Sequence, residues 1–187
     1  MNYSQVTCWY QEIIRTQASK DGFYIDATMG NGNDTRLLCE LAGNEGQVLA
    51  FDIQEEALNA TRKLLTDSVC MDNVQLIKDG HENMDRYAKA DSADVICFNF
   101  GYLPGGDHTI ATKSSTSLIA IEKGLHILKH GGLMCLCIYS GGDTGFDEKN
   151  SILTYLKNLS SKNFTVIVNE YYNRENNPPM PVFVFKK

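Results

Sequence analysis

What most constrains the fold of this chain is a repeated change of hydrophobic period. Short apolar runs, at 23–27, 48–52, 74–77, 93–98 and 133–139, read as buried strands. Around them lie stretches with helical spacing. Val6, Trp9, Tyr10, Ile13 and Ile14 mark a helix over about 3–18, and Leu37, Leu38 and Leu41 mark another that Asn33 or Asp34 is placed to cap. Further helices are predicted over 55–65, 114–129 and 148–159, the second of them stopped by His130-Gly131-Gly132. Two strands, 165–170 and 182–185, end the chain, separated by the polar turn 173–181. Alternation of strands and helices predicts a parallel sheet, and the closing hairpin adds one antiparallel edge strand. The expected class is α/β: a Rossmann-like, seven-stranded, mostly parallel sheet with helices on both faces and a C-terminal antiparallel hairpin. One domain is expected over 1–187, with residues 1–20 as its N-terminal helix.

Composition narrows the setting. An apolar fraction of 43% suits an ordinary globular interior, and no stretch approaches the roughly 18 consecutive apolar residues of a membrane span. The first residues lack a small-residue cleavage site, so no signal peptide is expected and the reading is soluble and cytoplasmic. Cys8, Cys39, Cys70 and Cys97 stand far apart, while Cys135 and Cys137 alternate on one strand and point to one face. None begins a Cys-x-x-Cys pair, so reduced, mostly buried thiols are expected and no metal. A net charge of −6 argues against a broad phosphate-neutralising surface. It leaves room for a local basic patch, with Lys113, Lys123, Lys129, His130, Arg174, Lys186 and Lys187 as candidates.

The first strand runs into Asp26-Ala27-Thr28-Met29-Gly30-Asn31-Gly32-Asn33, at the carboxyl edge where open α/β sheets bind ligands. Gly30 and Gly32 let backbone approach a ligand with no Cβ between, and the Thr28 hydroxyl is placed to brace the turn. Asp52 closes the second strand, where a carboxylate accepts both hydroxyls of a ribose. Asp79-Gly80-His81, after the third strand, is placed to edge an adenine. A dinucleotide fingerprint would need a third glycine where Thr35 stands, and Asp34 would set a negative charge beside the phosphates. A phosphate-free, cationic nucleoside such as S-adenosylmethionine tolerates that acid. Asn31 and Asn33 then bring amides to the amino-acid end of the ligand.

The fourth strand leads into Asn99-Phe100-Gly101-Tyr102-Leu103-Pro104-Gly105-Gly106-Asp107-His108, the densest polar and aromatic cluster in the chain. Asn99 and Tyr102 occupy the outer positions of an Asn-Pro-Pro-Tyr arrangement, with Phe100-Gly101 in place of the prolines. The loop thereby resembles the segment with which amino-methyltransferases orient an acceptor amine and stack its base, and positioning supplies much of the acceleration in such a transfer. Asp107 or His108 is the candidate proton acceptor.

Taken together, these segments resemble a bacterial family formerly labelled as rRNA methylases and now known as the tRNA methyltransferases that complete 5-methylaminomethyl-2-thiouridine at the wobble position. The resemblance rests on 26–35, on Phe51-Asp52-Ile53-Gln54, on 99–107, on Thr112 and Thr116, on 128–132 and on 173–179. It implies a class I methyltransferase fold, S-adenosylmethionine as cofactor, a homodimer, and transfer to the exocyclic aminomethyl nitrogen of uridine in the anticodon region of tRNA. It also implies donor contacts at Asn31, Asn33, Asp52, Gln54, Gly80 and His81, beside Asp26, Gly30 and Gly32 of the turn. One segment departs, since the family histidine after the fifth strand is Gly142 here. An rRNA or small-molecule methyltransferase and a non-catalytic nucleotide- or RNA-binding module are the competing readings.

Overall fold

The computed structural model describes residues 5–66, 72–101, 112–140 and 142–187, with only the backbone for 142–144. Seven strands, β1 (Phe23–Asp26), β2 (Gln47–Asp52), β3 (Val74–Lys78), β4 (Ala93–Phe100), β5 (Leu128–Ile138), β6 (Phe164–Val168) and β7 (Met180–Lys186), form one sheet in the order β3-β2-β1-β4-β5-β7-β6. Helices α1 (Val6–Gln17), α2 (Asn33–Ala42), α3 (Glu55–Thr66), α4 (Ser114–Ile127) and α5 (Gly142–Lys157) join them, with a 3₁₀ helix at His81–Arg86 between β3 and β4. Pairing is parallel from β3 to β5 and antiparallel at β5–β7 and β7–β6. The antiparallel strand is thus not at the edge, as the sequence suggested: β7 inserts between β5 and β6, and β6 takes the edge.

Strand alternation divides the interior into two layers. Ile25, Leu49, Phe51, Ile96, Phe98, Met134 and Leu136 meet α4, α5 and the 3₁₀ helix, while Tyr24, Val48, Val95, Cys97, Cys135 and Phe183 meet α1 and α2. Helix α1 buries Val6, Tyr10 and Ile14, spaced by four, so one narrow stripe faces the sheet. Burying each large side chain of this kind is worth about 1.5–3 kcal/mol. Cys97, Cys135 and Cys137 lie together in this second layer as buried thiols, while Cys70 lies outside the described residues.

Four local expectations are corrected. Helix α2 is capped by Gly32 in the left-handed conformation, φ 81, rather than by Asn33 or Asp34, because the Asp34 side chain turns inward to other partners. Helix α4 ends at Ile127 instead of running into 129, because Leu128 already pairs with Ala93. Lys186 of β7 holds its end, donating from Nζ to the Leu125 carbonyl at 3.0 Å and the Leu128 carbonyl at 2.6 Å. His130, Gly131 and Gly132 then fall within β5, in a bulge between the Ala93–Leu128 and Val95–Leu133 pairs, with Gly131 at φ 76. Finally, α5 starts at Gly142, well before the expected 148, even though its glycines read as loop. The Glu148 carboxylate fastens it to the start of α4: Thr112 donates to it at 2.8 Å and Ser117 at 2.6 Å.

Candidate active site

A cavity of about 650 Å³ opens at the carboxyl ends of β1, β2, β3 and β4. Its floor is the Gly-rich turn, which neighbouring elements hold by hydrogen bonds. Ala27 N donates to the Cys97 carbonyl and Met29 N to the Phe51 carbonyl, both at 2.8 Å, so the turn is stitched to both flanking strands. Gly30 N donates to Asp52 Oδ2 at 3.0 Å, and Thr61 of α3 donates from Oγ1 to the Gly30 carbonyl at 3.0 Å. Thr28 braces the turn through a route the sequence did not suggest: its hydroxyl oxygen accepts from Asn99 N at 2.6 Å, locking the turn to β4.

One half of the cavity carries Asp52, Gln54, Asp79, Gly80, His81 and Glu82. Asp52 accepts from Gln54 N at 2.9 Å through its second oxygen, so two backbone amides fix the carboxylate while each oxygen keeps a lone pair for a ligand. Asp79 accepts from Gly80 N and from Asn83 Nδ2, each at 2.8 Å, and from the Tyr87 hydroxyl at 3.0 Å. Those donors, Asn83 foremost, hold its carboxyl below the usual range and tie the 3₁₀ helix to the end of β3. His81 packs edge-on against Phe98 and Phe100, at 6.1 Å and 6.2 Å between ring centres. Burial pushes its imidazole down, against the charges of Glu82 and Asp52, so it is neutral near pH 7, and its Nε2 is buried with no hydrogen-bond partner. An orphaned nitrogen in a cavity wall is a place for a ligand to bond.

The other half carries Gln11, Asp34, Arg36, Asn99, Gly101, Thr112, Lys113, Thr116 and Tyr139. Asp34 is buried and accepts from Gln11 Nε2 at 2.7 Å and from Asn99 Nδ2 at 2.8 Å, one donor on each oxygen. Behind it, fully buried Asp26 accepts from Thr28 N at 3.2 Å and from the Thr35 hydroxyl at 2.6 Å. Burial, then the charge of Asp34, raises Asp26 to about 7 against the opposing pull of Thr35 and Thr28. Asp34 is raised too, by burial, while its two amide donors work the other way. Two buried carboxyls that repel one another favour a proton on one of them, and Asp26 can hold it because the Thr35 hydroxyl can turn round and accept.

Eight of the expected site residues, Gly30, Asn31, Asn33, Asp52, Gln54, Gly80, His81 and Asn99, line this one cavity. Asp26 and Gly32 do not line it. Asp26 stiffens the turn from behind, and a Cβ on Gly32 would meet Thr61 Oγ1 at 2.7 Å, so Gly32 serves close packing of α2 on α3. Tyr102, Asp107 and His108 lie outside the described residues. Sequence reasoning missed Gln11 and Tyr139. Gln11 stands one helical turn after Thr7, which also lines the cavity; Tyr139, a residue 36% exposed, directly follows β5.

Strand order, the carboxylate ending β2 and the cavity over the β1 turn define the Rossmann-like class of methyltransferases. Residues 48–185 match the family model described as "Putative rRNA methylase", and the chain belongs to that family. A protein of Arabidopsis thaliana named tRNA (mnm(5)s(2)U34)-methyltransferase, chloroplastic, is 34% identical over 172 residues, 87% of this chain. The chain spans 62% of that relative's length. A structure described as a "putative rRNA-methylase" from Clostridium thermocellum superposes with a TM-score of 0.96 at 41% identity, covering 100% of both chains. Another, a "putative methyltransferase" from Streptococcus mutans in complex with SAH, gives 0.89 at 37% identity over 98% of each.

Proposed function

We propose that this protein transfers a methyl group from S-adenosylmethionine to the exocyclic aminomethyl nitrogen of the wobble uridine in tRNA. The observation that carries the reading is the pairing, across one cavity, of a ribose-type carboxylate at Asp52 with an amine-orienting amide at Asn99. The described residues fit the donor. The cavity volume lies in the range of small-molecule sites, and His81, whose buried Nε2 has no hydrogen-bond partner, is among the residues that line it. Asp52 would accept from the ribose hydroxyls, Gly80 and His81 would border the adenine, and Asn31 and Asn33 would meet the amino-acid end. When bound, S-adenosylmethionine supplies an electrophilic methyl group on a sulfonium sulfur.

The protein's own part is to hold, aim and dry the reactants. Asn99 orients the acceptor nitrogen, Tyr139 offers a ring face to a splayed base, and Lys113 and Arg36 stand at the rim where nucleotide phosphates would pass. The plant relative's printed name supports tRNA wobble uridine as substrate. The resemblance of the whole chain further supports a homodimer. The test is mass spectrometry of nucleosides after incubation with labelled donor and, in separate reactions, tRNA bearing 5-aminomethyl-2-thiouridine, ribosomal RNA and small amines. Label in the wobble nucleoside is expected. Label confined to ribosomal RNA or to small amines would overturn the substrate, and SAH binding with no transfer to any pool would overturn the activity.

A further inference from the structure

We propose that Gln11 and Asp34 form a clamp that fixes the polarity of the Asn99 amide, so that the site presents a carbonyl oxygen to the nucleophile and selects an acceptor bearing N–H. The inference rests on the methyl-transfer reading and deepens it by naming the residues that decide which nucleophile the site takes. Asn99 has one donor end and one acceptor end, and its planar amide turned over would reverse them. Asp34 settles the choice. A buried carboxylate accepts only, one of its oxygens is taken by Gln11 Nε2 at 2.7 Å, and the other faces Asn99 Nδ2 at 2.8 Å. The Asn99 main chain is held separately, by the Thr28 hydroxyl at 2.6 Å, so neither backbone nor side chain is free to turn. With one Nδ2 hydrogen committed to Asp34, Oδ1 is the acceptor Asn99 has left for the cavity it lines, and among the described residues no group donates to it.

A carbonyl oxygen there accepts one N–H of a neutral primary amine and leaves the amine lone pair directed elsewhere, available for attack. The lone pair forms the new N–CH₃ bond as the S–CH₃ bond breaks with its electron pair passing to sulfur, and the ammonium formed gives its surplus proton to water. A carboxylate or phenolate acceptor would set its own oxygen against Oδ1 and be repelled. Gln11 and Asp34 are positioning residues, since they act through Asn99, and they draw the N-terminal helix into the reaction: α1 supplies one end of the clamp and α2 the middle.

The test uses Asp34→Asn in the full-length protein. The amide introduced by this substitution keeps the shape of the carboxylate and accepts from Gln11. It also offers its own amide hydrogens to Asn99, which turns Asn99 over and points Nδ2 into the cavity. The expected result is a fall in kcat of about 100-fold with tRNA carrying the aminomethyl group, at little-changed KM and SAH affinity. Gln11→Ala, a milder change on a helix surface, is expected to lower kcat by about three- to tenfold with unchanged thermal stability, and it decides the matter should Asp34→Asn fail to fold. In ¹⁵N spectra of the SAH-bound wild type, the Asn99 side-chain amide, assigned through Asn99→Ala, is expected to be shifted and protected from exchange, and to lose both features in Asp34→Asn. This readout needs no substrate, so it stands apart from the function itself: wild type inert on every RNA would sink the reading, not the clamp. Wild-type kcat in the variants, loss of SAH affinity parallel to kcat, or a fast-exchanging Asn99 amide in the wild type would overturn the clamp.

Discussion

Replacing Gly32 by alanine should damage the donor turn from behind, without touching any ligand. At φ 81 an L-residue pays the left-handed penalty of about 1–2 kcal/mol. The new Cβ would also stand 2.7 Å from Thr61 Oγ1, 2.9 Å from Thr61 Cγ2 and 3.0 Å from Thr61 Cα. Thr61 is fully buried and cannot swing into solvent. It must shift, and its bond to the Gly30 carbonyl, worth about 0.5–1.5 kcal/mol, is lost with it. The sum is a destabilisation of about 1.5–3.5 kcal/mol for Gly32→Ala, with weaker SAH binding because Gly30 no longer lies flat beneath the cavity. Urea unfolding of Gly32→Ala, Thr61→Ala and the double variant separates the two terms. Thr61→Ala removes the two nearest atoms, so adding Gly32→Ala to it should cost only the backbone term, giving a coupling of about 1 kcal/mol in the double variant's favour. A single-variant cost below about 1 kcal/mol, or additivity within about 0.3 kcal/mol, would refute the packing argument.

Three other changes probe separate parts of the molecule. Asp52→Ala should weaken SAH binding by about 1–3 kcal/mol in calorimetry, by loss of the charged acceptor that Gly30 N and Gln54 N hold in place; unchanged affinity would remove Asp52 from the donor site. Asp26→Asn should alter the pH dependence of stability. Unfolded, this carboxyl ionises near 3.8, while folded it keeps its proton to about 7, so wild type loses stability as pH rises between those values and the variant, left with the raised Asp34 alone, loses less. Urea midpoints of the ligand-free proteins at about pH 5 and about pH 8 check this, and parallel behaviour would mean that Asp26 ionises normally in the fold. Lys186→Met should cost about 1–2 kcal/mol, since Nζ donates to Asp91 at 2.7 Å and to two carbonyls at the end of α4. An unfolding free energy within about 0.5 kcal/mol of wild type would show those bonds to be replaced by water.

The legible part of this protein was the part governed by neighbours in sequence. Short continuous apolar runs marked the central strands, because a strand covered by helices on both faces is apolar at nearly every position along its own backbone. Gly30 and Asp52 were legible for the same reason, since a turn at the end of a first strand and a carboxylate at the end of the second meet wherever parallel strands pair. What sequence did not reveal lay between distant segments. The place of β7 between β5 and β6 depends on which sheet edge the returning chain meets, and that is an energy of whole faces. The early start of α5 depends on a carboxylate at 148 reaching hydroxyls at 112 and 117.

The site divides along the same line. The sequence by itself determined that a cavity would form over the Gly30 turn and that Asn99 would stand at its edge, because each sits at the end of its own strand. Only the tertiary structure decided which way Asn99 faces. That orientation comes from Asp34 and Gln11, a first-turn helix residue and a residue of the N-terminal helix. Neither has a local pattern to mark it, since a buried carboxylate is tolerated only where the fold brings donors to both of its oxygens.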